Sequence, residues 1–217
     1  MVDVKRNYDA SRRQQVARLS RARILDAARA RFLSDGFAAT TIAQVAADAD
    51  VAVQTVTKHF ASKPGLVKAL FDVALVGDDA GVPLAAREWI TAILEQPDPR
   101  RKLRMYAETL ASMLPRTAPI QLLIRDAASD PAIAAIWQQI RTGRLFGMTD
   151  LARNLHEDRH LRADVSIEQA RDVLWTYSSP ELYELVVTAR GWSAEQYIDL
   201  LYIGVVASLL PSTIFEA

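Results

Sequence analysis

Polar side chains crowd one face of the short stretch that runs from Val53 to His59. That face offers an amide, hydroxyls, an ammonium and an imidazole, from Gln54, Thr55, Thr57, Lys58 and His59. The apolar stripe opposite is thin, chiefly Val56 and Phe60. A helix of this kind suits contacts with base edges and phosphates of DNA. A small packing helix in an all-α domain is the plainer alternative, because helix-turn-helix patterns are short.

A second short helix has to hold this face in place. Thr41 and Gln44 have the spacing of a capping box, in which each side chain bonds the other residue's main-chain N–H. The turn that joins the two helices contains Asp50, and aspartate is among the few non-glycine residues that tolerate a left-handed conformation. We therefore predict that residues 40–63 form two short helices joined by a tight turn.

Residues 36–66 also carry a pattern without gaps. It has an aromatic after glycine, a threonine pair, a three-residue turn, an aromatic helix end and a Ser-Lys start to the next helix: Gly36-Phe37, Thr40-Thr41, Ala49-Asp50-Val51, His59-Phe60 and Ser62-Lys63. This pattern resembles the DNA-binding domain of the TetR family of repressors. The resemblance implies a helix-turn-helix head, a helical body with a ligand cavity, and a homodimer.

The resemblance also implies a role for each matched position. Phosphate contacts fall to Thr41, His59 and Lys63. Base contacts fall to Val53, Gln54, Thr55 and Thr57, while Lys58 reaches a phosphate or a base edge. Gln54 is the main specificity candidate, because a glutamine can bind adenine through two hydrogen bonds.

Four positions depart from the family pattern. Asp50 replaces the turn glycine, and Ala52 replaces the serine that usually caps the recognition helix. Gln54 stands where glycine or proline is common, and Thr57 where tyrosine is frequent. These departures affect which operator sequence is bound and how strongly the recognition helix is capped.

Charge is divided unevenly along a chain whose total is zero. Residues 1–70 hold 12 Lys and Arg against 6 Asp, a net of +6, and residues 71–217 hold 14 against 20 acidic residues, a net of −6. A basic first third on an acidic remainder favours a DNA-binding head on a body that stays off DNA.

Composition excludes several other classes of protein. The 217 residues include no cysteine, so disulfides, thiol catalysis and cysteine metal sites are excluded. No run approaches the ~18 apolar residues of a membrane helix, and the first twenty residues lack the apolar core of a secretory signal. The sequence predicts a cytoplasmic protein with no cofactor and no membrane partner.

We predict three segments. Residues 1–19 form a basic arm that either contacts DNA, or is a solvated tail, or begins a helix near Arg12 through a Ser11–Gln14 capping box. Residues 20–65 form the head, whose first helix, from about Ser20 to Ser34, buries Ile24, Leu25, Ala28, Phe32 and Leu33. Residues 66–217 form the ligand-binding and dimerisation body.

The fold class predicted is all-α. Ser62 caps a helix with Pro64 in its first turn, and residues 77–83 form a loop. The caps Asp98, Asp130, Ser166 and Ser193 and the C-cap Gly191 delimit helices at about 84–95, 99–114, 118–128, 131–156, 167–189 and 194–209. Pro180 predicts a kink or break near Ser179.

The last two helices are more apolar than surface helices need to be. A two-fold dimer that pairs them into a four-helix bundle would bury the excess, and burial within one subunit is the alternative. The interface residues predicted are Leu182, Leu185, Val186, Leu201, Val205, Ser208 and Leu209.

Aromatic and methionine side chains recur in the middle of the chain. Core packing explains any one of them, but such residues also line cavities for apolar ligands. The predicted pocket comprises Trp89, Met105, Tyr106, Thr109, Met113, Trp137, Phe146 and Trp175. Further polar candidates are Gln121, Arg125 and Gln138. The expected function is a ligand-released repressor on a palindromic operator; a DNA-binding protein without a ligand is an alternative.

One motif points to another class of protein. Two histidines one helical turn apart can share zinc while a glutamate polarises bound water, as in the stretch His156-Glu157-Asp158-Arg159-His160. His59 is the only other histidine, so Glu168 or Glu181 would have to complete the site. The motif lies at a charged helix end, where a solvated face is the plainer explanation. We therefore predict no catalytic residue and no bound metal.

Overall fold

The described part of the protein consists of helices joined by turns and loops. A computed structural model describes the backbone of residues 3–77 and 87–211, and side chains from residue 15 onward. No strand occurs in these ranges, which confirms the predicted fold class. No described helix is long and apolar enough to cross a membrane. The helices are α1 (Asp3–Ala39), α2 (Ile42–Asp48), α3 (Val53–Phe60), α4 (Lys63–Val76), α5 (Glu88–Glu95), α6 (Pro99–Asp126), α7 (Pro131–Glu157), α8 (Ile167–Tyr177), α9 (Pro180–Tyr183) and α10 (Ala194–Leu209).

Helix α1 starts much earlier than the sequence predicted. It begins at Asp3, before both Ser20 and the alternative start near Arg12, because residues 3–19 contain neither glycine nor proline to stop it. A kink follows at Gly36, whose φ of 79° is left-handed. Leu33 was predicted to be buried and is 43% exposed. The rest of the predicted stripe is buried: Ile24, Leu25, Ala28 and Phe32.

Helix α6 is one helix where two were predicted. Pro115 and Pro119 both lie inside it, although each removes a main-chain donor. The flanking side chains of Leu114, Ala118 and Ile120 are almost fully buried. Their burial offsets the two missing hydrogen bonds, so the helix continues to Asp126.

The predicted break near Ser179 is confirmed. Helix α8 ends at Tyr177, and the Ser179 hydroxyl accepts a hydrogen bond from the N–H of Leu182 at the start of α9. Helix α9 passes into a π-helical segment, Glu184–Thr188. Gly191 closes this region with a left-handed φ of 71° and an N–H donated to the Val187 carbonyl at 3.0 Å.

Two compact units make up the chain. The first runs through Val73 and takes in Leu123–Ile136; the second comprises Ala74–Leu122 and the chain from Trp137 onward. The second unit has a core from α6, α7, α8 and α10, with Leu103, Leu155, Leu174, Tyr197 and Leu201 fully buried. The predicted limits at 19/20 and 65/66 fall inside α1 and α4, and the division into arm, head and body stays a prediction. The predicted loop lies outside the described residues except for Gly77, whose φ is 82°.

Candidate functional site

Helix α3 presents its polar face to solvent. Val56 is fully buried and Phe60 is nearly so, and these two side chains fix the rotation of the helix. The exposed set contains four of the predicted DNA contacts: Val53, Gln54, Thr57 and Lys58. Thr55 and His59 are half-buried at its edges. Because α3 is short and its outer face carries few apolar side chains, this face can enter a DNA groove.

The turn before α3 has the predicted geometry. Asp50 has a left-handed φ of 52°, and the N–H of Val51 donates to the Ala46 carbonyl at 3.0 Å. At the other end of α2, both bonds of the capping box are present. The Gln44 side-chain oxygen accepts from the Thr41 N–H at 2.8 Å, and the Thr41 hydroxyl accepts from the Gln44 N–H at 3.2 Å.

An ion-pair network that no sequence pattern predicts joins α2 to α1. Arg31 Nε lies 2.5 Å from Asp48 Oδ2, and its Nη1 lies 3.2 Å from Asp35 Oδ2. The Arg31 hydrogen bond lowers the pKa of Asp48 below its ordinary value. The pair joins residues 17 positions apart, which helical periodicity cannot reveal. It fixes the end of α2, next to the turn that aims α3.

Lys63 makes contacts inside the head that the sequence did not predict. Its Nζ donates to the carbonyls of Phe37 at 2.7 Å and Thr40 at 2.9 Å, and it lies 4.1 Å from the centre of the Phe37 ring. Lysine near a helix C-terminus commonly bonds the last carbonyls in this way. Lys63 therefore closes the end of α1, and its contact with a phosphate stays a prediction.

The N-terminus of α3 lacks a side-chain cap. Ala52 occupies the cap position with φ −69° and ψ 147°, and no side chain bonds the free N–H groups of the first turn. Its backbone already has the extended conformation that a serine cap uses. We expect Ala52→Ser to raise the free energy of unfolding by about 0.5–2 kcal/mol. Thermal unfolding measures this; an unchanged midpoint would show that α3 is held by packing alone.

Residues 24–70 match the family model of bacterial regulatory proteins, tetR family. The match covers helices α2 and α3 and the turn between them. A search of curated proteins finds no match.

Solved structures extend the likeness to the body. A putative TetR-family transcriptional regulator from Mesorhizobium loti is 18% identical with a TM-score of 0.63, covering 90% of this chain and 98% of that one. NalD, the secondary repressor of the MexAB-OprM multidrug efflux pump in Pseudomonas aeruginosa, is 18% identical with a TM-score of 0.69, covering 91% and 99%. A SmeT–triclosan complex is 17% identical with a TM-score of 0.68, covering 90% and 94%. At these identities the likeness shows a shared TetR fold.

The second unit of the chain contains a groove of about 560 Å³, which we call the α6 groove. Three of the predicted pocket residues line it, namely Trp89, Met105 and Thr109. Its other lining residues are Leu75, Val76, Ala92, Ile93, Arg101, Glu108, Ser112 and Arg116. The groove therefore has an apolar wall from α4 and α5 and a mixed wall from α6.

The other predicted pocket residues do not line the α6 groove. Phe146 is 65% exposed on α7, which contradicts a place in an enclosed cavity. Tyr106 is buried, with its hydroxyl donated to the Leu174 carbonyl at 2.9 Å, and burial raises its pKa. The Trp175 ring stacks beneath the Arg144 guanidinium, whose Cζ lies 4.6 Å from the ring centre. Met113 packs on the core and Trp137 is half-buried.

The additional polar candidates also lie elsewhere. Gln121 is 5% exposed, and the Arg125 guanidinium donates to its neighbour Asp126 at 2.9 Å. Gln138 is exposed on α7 and reaches the Thr142 hydroxyl at 3.5 Å. None of the three lines the α6 groove.

Burial corrects the predicted dimer interface. Leu201, Val205 and Leu209 are at most 1% exposed inside the second unit, so they have no surface left for a partner. The periodicity of α10 pointed to the wrong face, because a core stripe and an interface stripe share one spacing. Leu185 and Ile203 are 61% and 64% exposed instead. The half-buried residues of the predicted set are Leu182, Val186 and Ser208.

The H-E-x-x-H motif at residues 156–160 does not have zinc-site geometry. Helix α7 ends at Glu157, and Arg159 has a left-handed φ of 58°, so the two histidines are not on successive turns of one helix. Asp158 instead lies 3.0 Å from the Nζ of the fully buried Lys102. Within the described ranges, no group of three or more potential ligands could hold a metal ion. The zinc-hydrolase alternative is unsupported.

Proposed function

We propose that this protein is a member of the TetR family and a repressor that binds a palindromic operator as a homodimer and leaves it when a mostly apolar small molecule binds. The observation that carries the proposal is the exposed polar face of α3, set by the buried Val56 and Phe60 and aimed by the Asp50 turn. A face of this chemistry on a rigid short helix can read base edges in a major groove.

Dimerisation is supported by the exposed apolar side chains of the terminal helices. Leu185 and Ile203 each leave more than half of their side-chain surface in water. A two-fold partner would cover such residues and would also present a second recognition helix to the next half-site. An interface centred on Leu185 and Ile203 replaces the one centred on Leu201, Val205 and Leu209.

Ligand control is supported by the α6 groove. Trp89, Met105 and Ile93 supply an apolar wall, and Thr109 and Ser112 supply hydroxyls beside it. Largely apolar clefts with a few polar groups are typical of small-molecule sites. Among proteins of this fold, NalD is described as an efflux-pump repressor and SmeT forms a complex with triclosan.

The proposed mechanism is a shift in population. The ligand binds better to a conformation with low operator affinity, so occupancy of the groove lowers the fraction of protein on DNA. Linkage requires the operator to weaken ligand binding by the same factor. Equal operator affinity with and without every tight ligand would favour a DNA-binding protein that has no small-molecule effector.

The direct experiment is selection of bound DNA from a random pool by the full-length protein. The proposal expects enrichment of a palindrome with half-sites one helical turn or more apart. Enrichment of a single half-site would remove the dimer from the proposal. No enrichment of any sequence would overturn the repressor function.

Gln54 supplies a test of base reading. Gln54→Ala is expected to cost about 1–3 kcal/mol of operator binding and to relax one base position in each half-site. Repeating the selection with the variant measures both effects. Equal weakening of operator and random DNA would assign Gln54 to the phosphate backbone instead.

A further inference from the structure

The outer surface of α3 is made of two neighbouring rows of side chains. Residues four apart lie on the same row of a helix, and α3 exposes two of its rows. The exposed rows are Val53 with Thr57 and Gln54 with Lys58. The other rows are half-buried or buried. The surface that α3 offers to a DNA groove is therefore two side chains wide.

Val53 is the apolar side chain of this surface. It is 44% exposed, whereas Val56 on the same helix is fully buried. Val53 is also the first residue of α3, and the N-terminal residues of a recognition helix are the ones that contact base edges. The Val53 side chain carries no hydrogen-bonding group, so a contact that it makes with a base is an apolar contact.

Thr57 adds a methyl group to the row that begins with Val53. Its hydroxyl donates to the Val53 carbonyl at 3.2 Å, which is the bond to residue i−4 that threonine can make in a helix. The hydroxyl donor is thus used inside α3, while Thr57 stays exposed. Thr57 therefore offers its methyl group to a groove, and we call Val53 and Thr57 together the methyl row.

One base carries a matching apolar group. Thymine is distinguished in the major groove by its methyl group, which the methyl groups of alanine, threonine and other apolar side chains contact. Side chains one turn apart on a helix have Cβ atoms about 5–6 Å apart, and the bases of one strand rise about 3.4 Å per step. The methyl row can therefore meet thymines on base pairs within about two steps of each other.

We propose that Val53 and Thr57 read thymine in each half-site of the operator through contact with its methyl group. This inference rests on the operator binding proposed above and names the base that the methyl row selects. Gln54 on the neighbouring exposed row is the candidate for reading adenine. The two rows together then select a stretch of A·T pairs.

Deoxyuridine tests the proposal on the native full-length protein, because it pairs as thymidine does and lacks only the methyl group. Each thymine of the operator enriched from the random pool is replaced in turn, and a gel-shift titration measures the affinity. We expect binding to weaken about fourfold at one or two thymines of each half-site, since burial of one methylene-sized group contributes about 0.8 kcal/mol. Replacement of the other thymines should leave the affinity unchanged.

Two variants separate the methyl group of Thr57 from its hydroxyl. Thr57→Val keeps the methyl group and removes the hydroxyl, so we expect native affinity. Thr57→Ser keeps the hydroxyl and removes the methyl group, so we expect binding about fourfold weaker, with no further loss when deoxyuridine replaces the thymine that Thr57 reads. Val53→Ala should likewise remove the response to deoxyuridine at the thymine that Val53 reads.

Leu33→Ala is the control for loss of an exposed apolar side chain. Leu33 is 43% exposed on α1, close to the 44% of Val53, and lies outside α3. This variant should keep native affinity and the full response to deoxyuridine. The deoxyuridine measurement uses the native protein, so it decides the outcome whether or not each variant folds.

Three results would overturn the inference: unchanged affinity with every deoxyuridine, weaker binding by Thr57→Val but not by Thr57→Ser, or a selected half-site that has no fixed thymine. Each of them leaves the repressor function in place, because the protein still enriches an operator. Failure of the repressor function gives a different result, which is no enrichment of any sequence.

Discussion

Gly65→Ala is expected to abolish specific operator binding and to lower the free energy of unfolding by about 2–4 kcal/mol. A Cβ on Gly65 would collide with the carbonyl oxygen of Phe60, the last residue of α3. That oxygen already accepts the N–H of Ser62 at 2.7 Å, and Ala61 beside it has a left-handed φ of 61°. The added Cβ would therefore meet main-chain atoms, which cannot move aside as the end of a flexible side chain can. The end of α3 must move, and its polar face moves with it.

Gly143→Ala is the matched control for this substitution. Gly143 lies inside α7, and a Cβ there would meet nothing within 4 Å. Alanine in a helix interior is about 0.5–1 kcal/mol more favourable than glycine, so this variant should be slightly stabilised and bind the operator normally. Thermal unfolding and a gel-shift titration measure both variants. Native operator affinity in Gly65→Ala would show that the Phe60 turn is not coupled to DNA reading.

Much of the head could be predicted from the sequence because its determinants are local. The Thr41–Gln44 box joins residues three apart, and the left-handed Asp50 depends on one residue type in one turn. The missing cap at Ala52 follows from the absence of a side-chain oxygen. The buried stripe of α3 is set by periodicity. Each of these features is decided within one or two helical turns.

The remainder depends on contacts that are distant in the chain. Lys102 is fully buried and bonds Asn154 and Asp158, more than fifty positions away, a pairing that no local pattern reveals. Helix α6 continues through Pro115 because packing outweighs a local breaker. In α10 the apolar pattern was real, but only tertiary structure assigns Leu201 to the core and Ile203 to the surface.

Lys63→Met should lower the free energy of unfolding by about 2–4 kcal/mol while leaving the salt dependence of DNA binding unchanged. The ammonium closes the end of α1 through the carbonyls of Phe37 and Thr40 and covers the Phe37 ring. Methionine fills similar volume and supplies no donor, so these carbonyls lose their partner. A phosphate contact would behave differently, because each one lost reduces the slope of log affinity against log salt by about 1.

Lys58→Met separates the two roles of lysine in the head. Lys58 is exposed on α3, so its loss should change stability by no more than about 0.5 kcal/mol. It should reduce the salt slope by about 1 if it meets a phosphate. Chemical unfolding gives the free energy of unfolding of each variant. Operator titrations between about 50 and 200 mM salt give the salt slope of each. A stable Lys63→Met with a reduced slope would assign Lys63 to the phosphate role implied by the resemblance, and α1 would then be closed by packing of Phe37 alone.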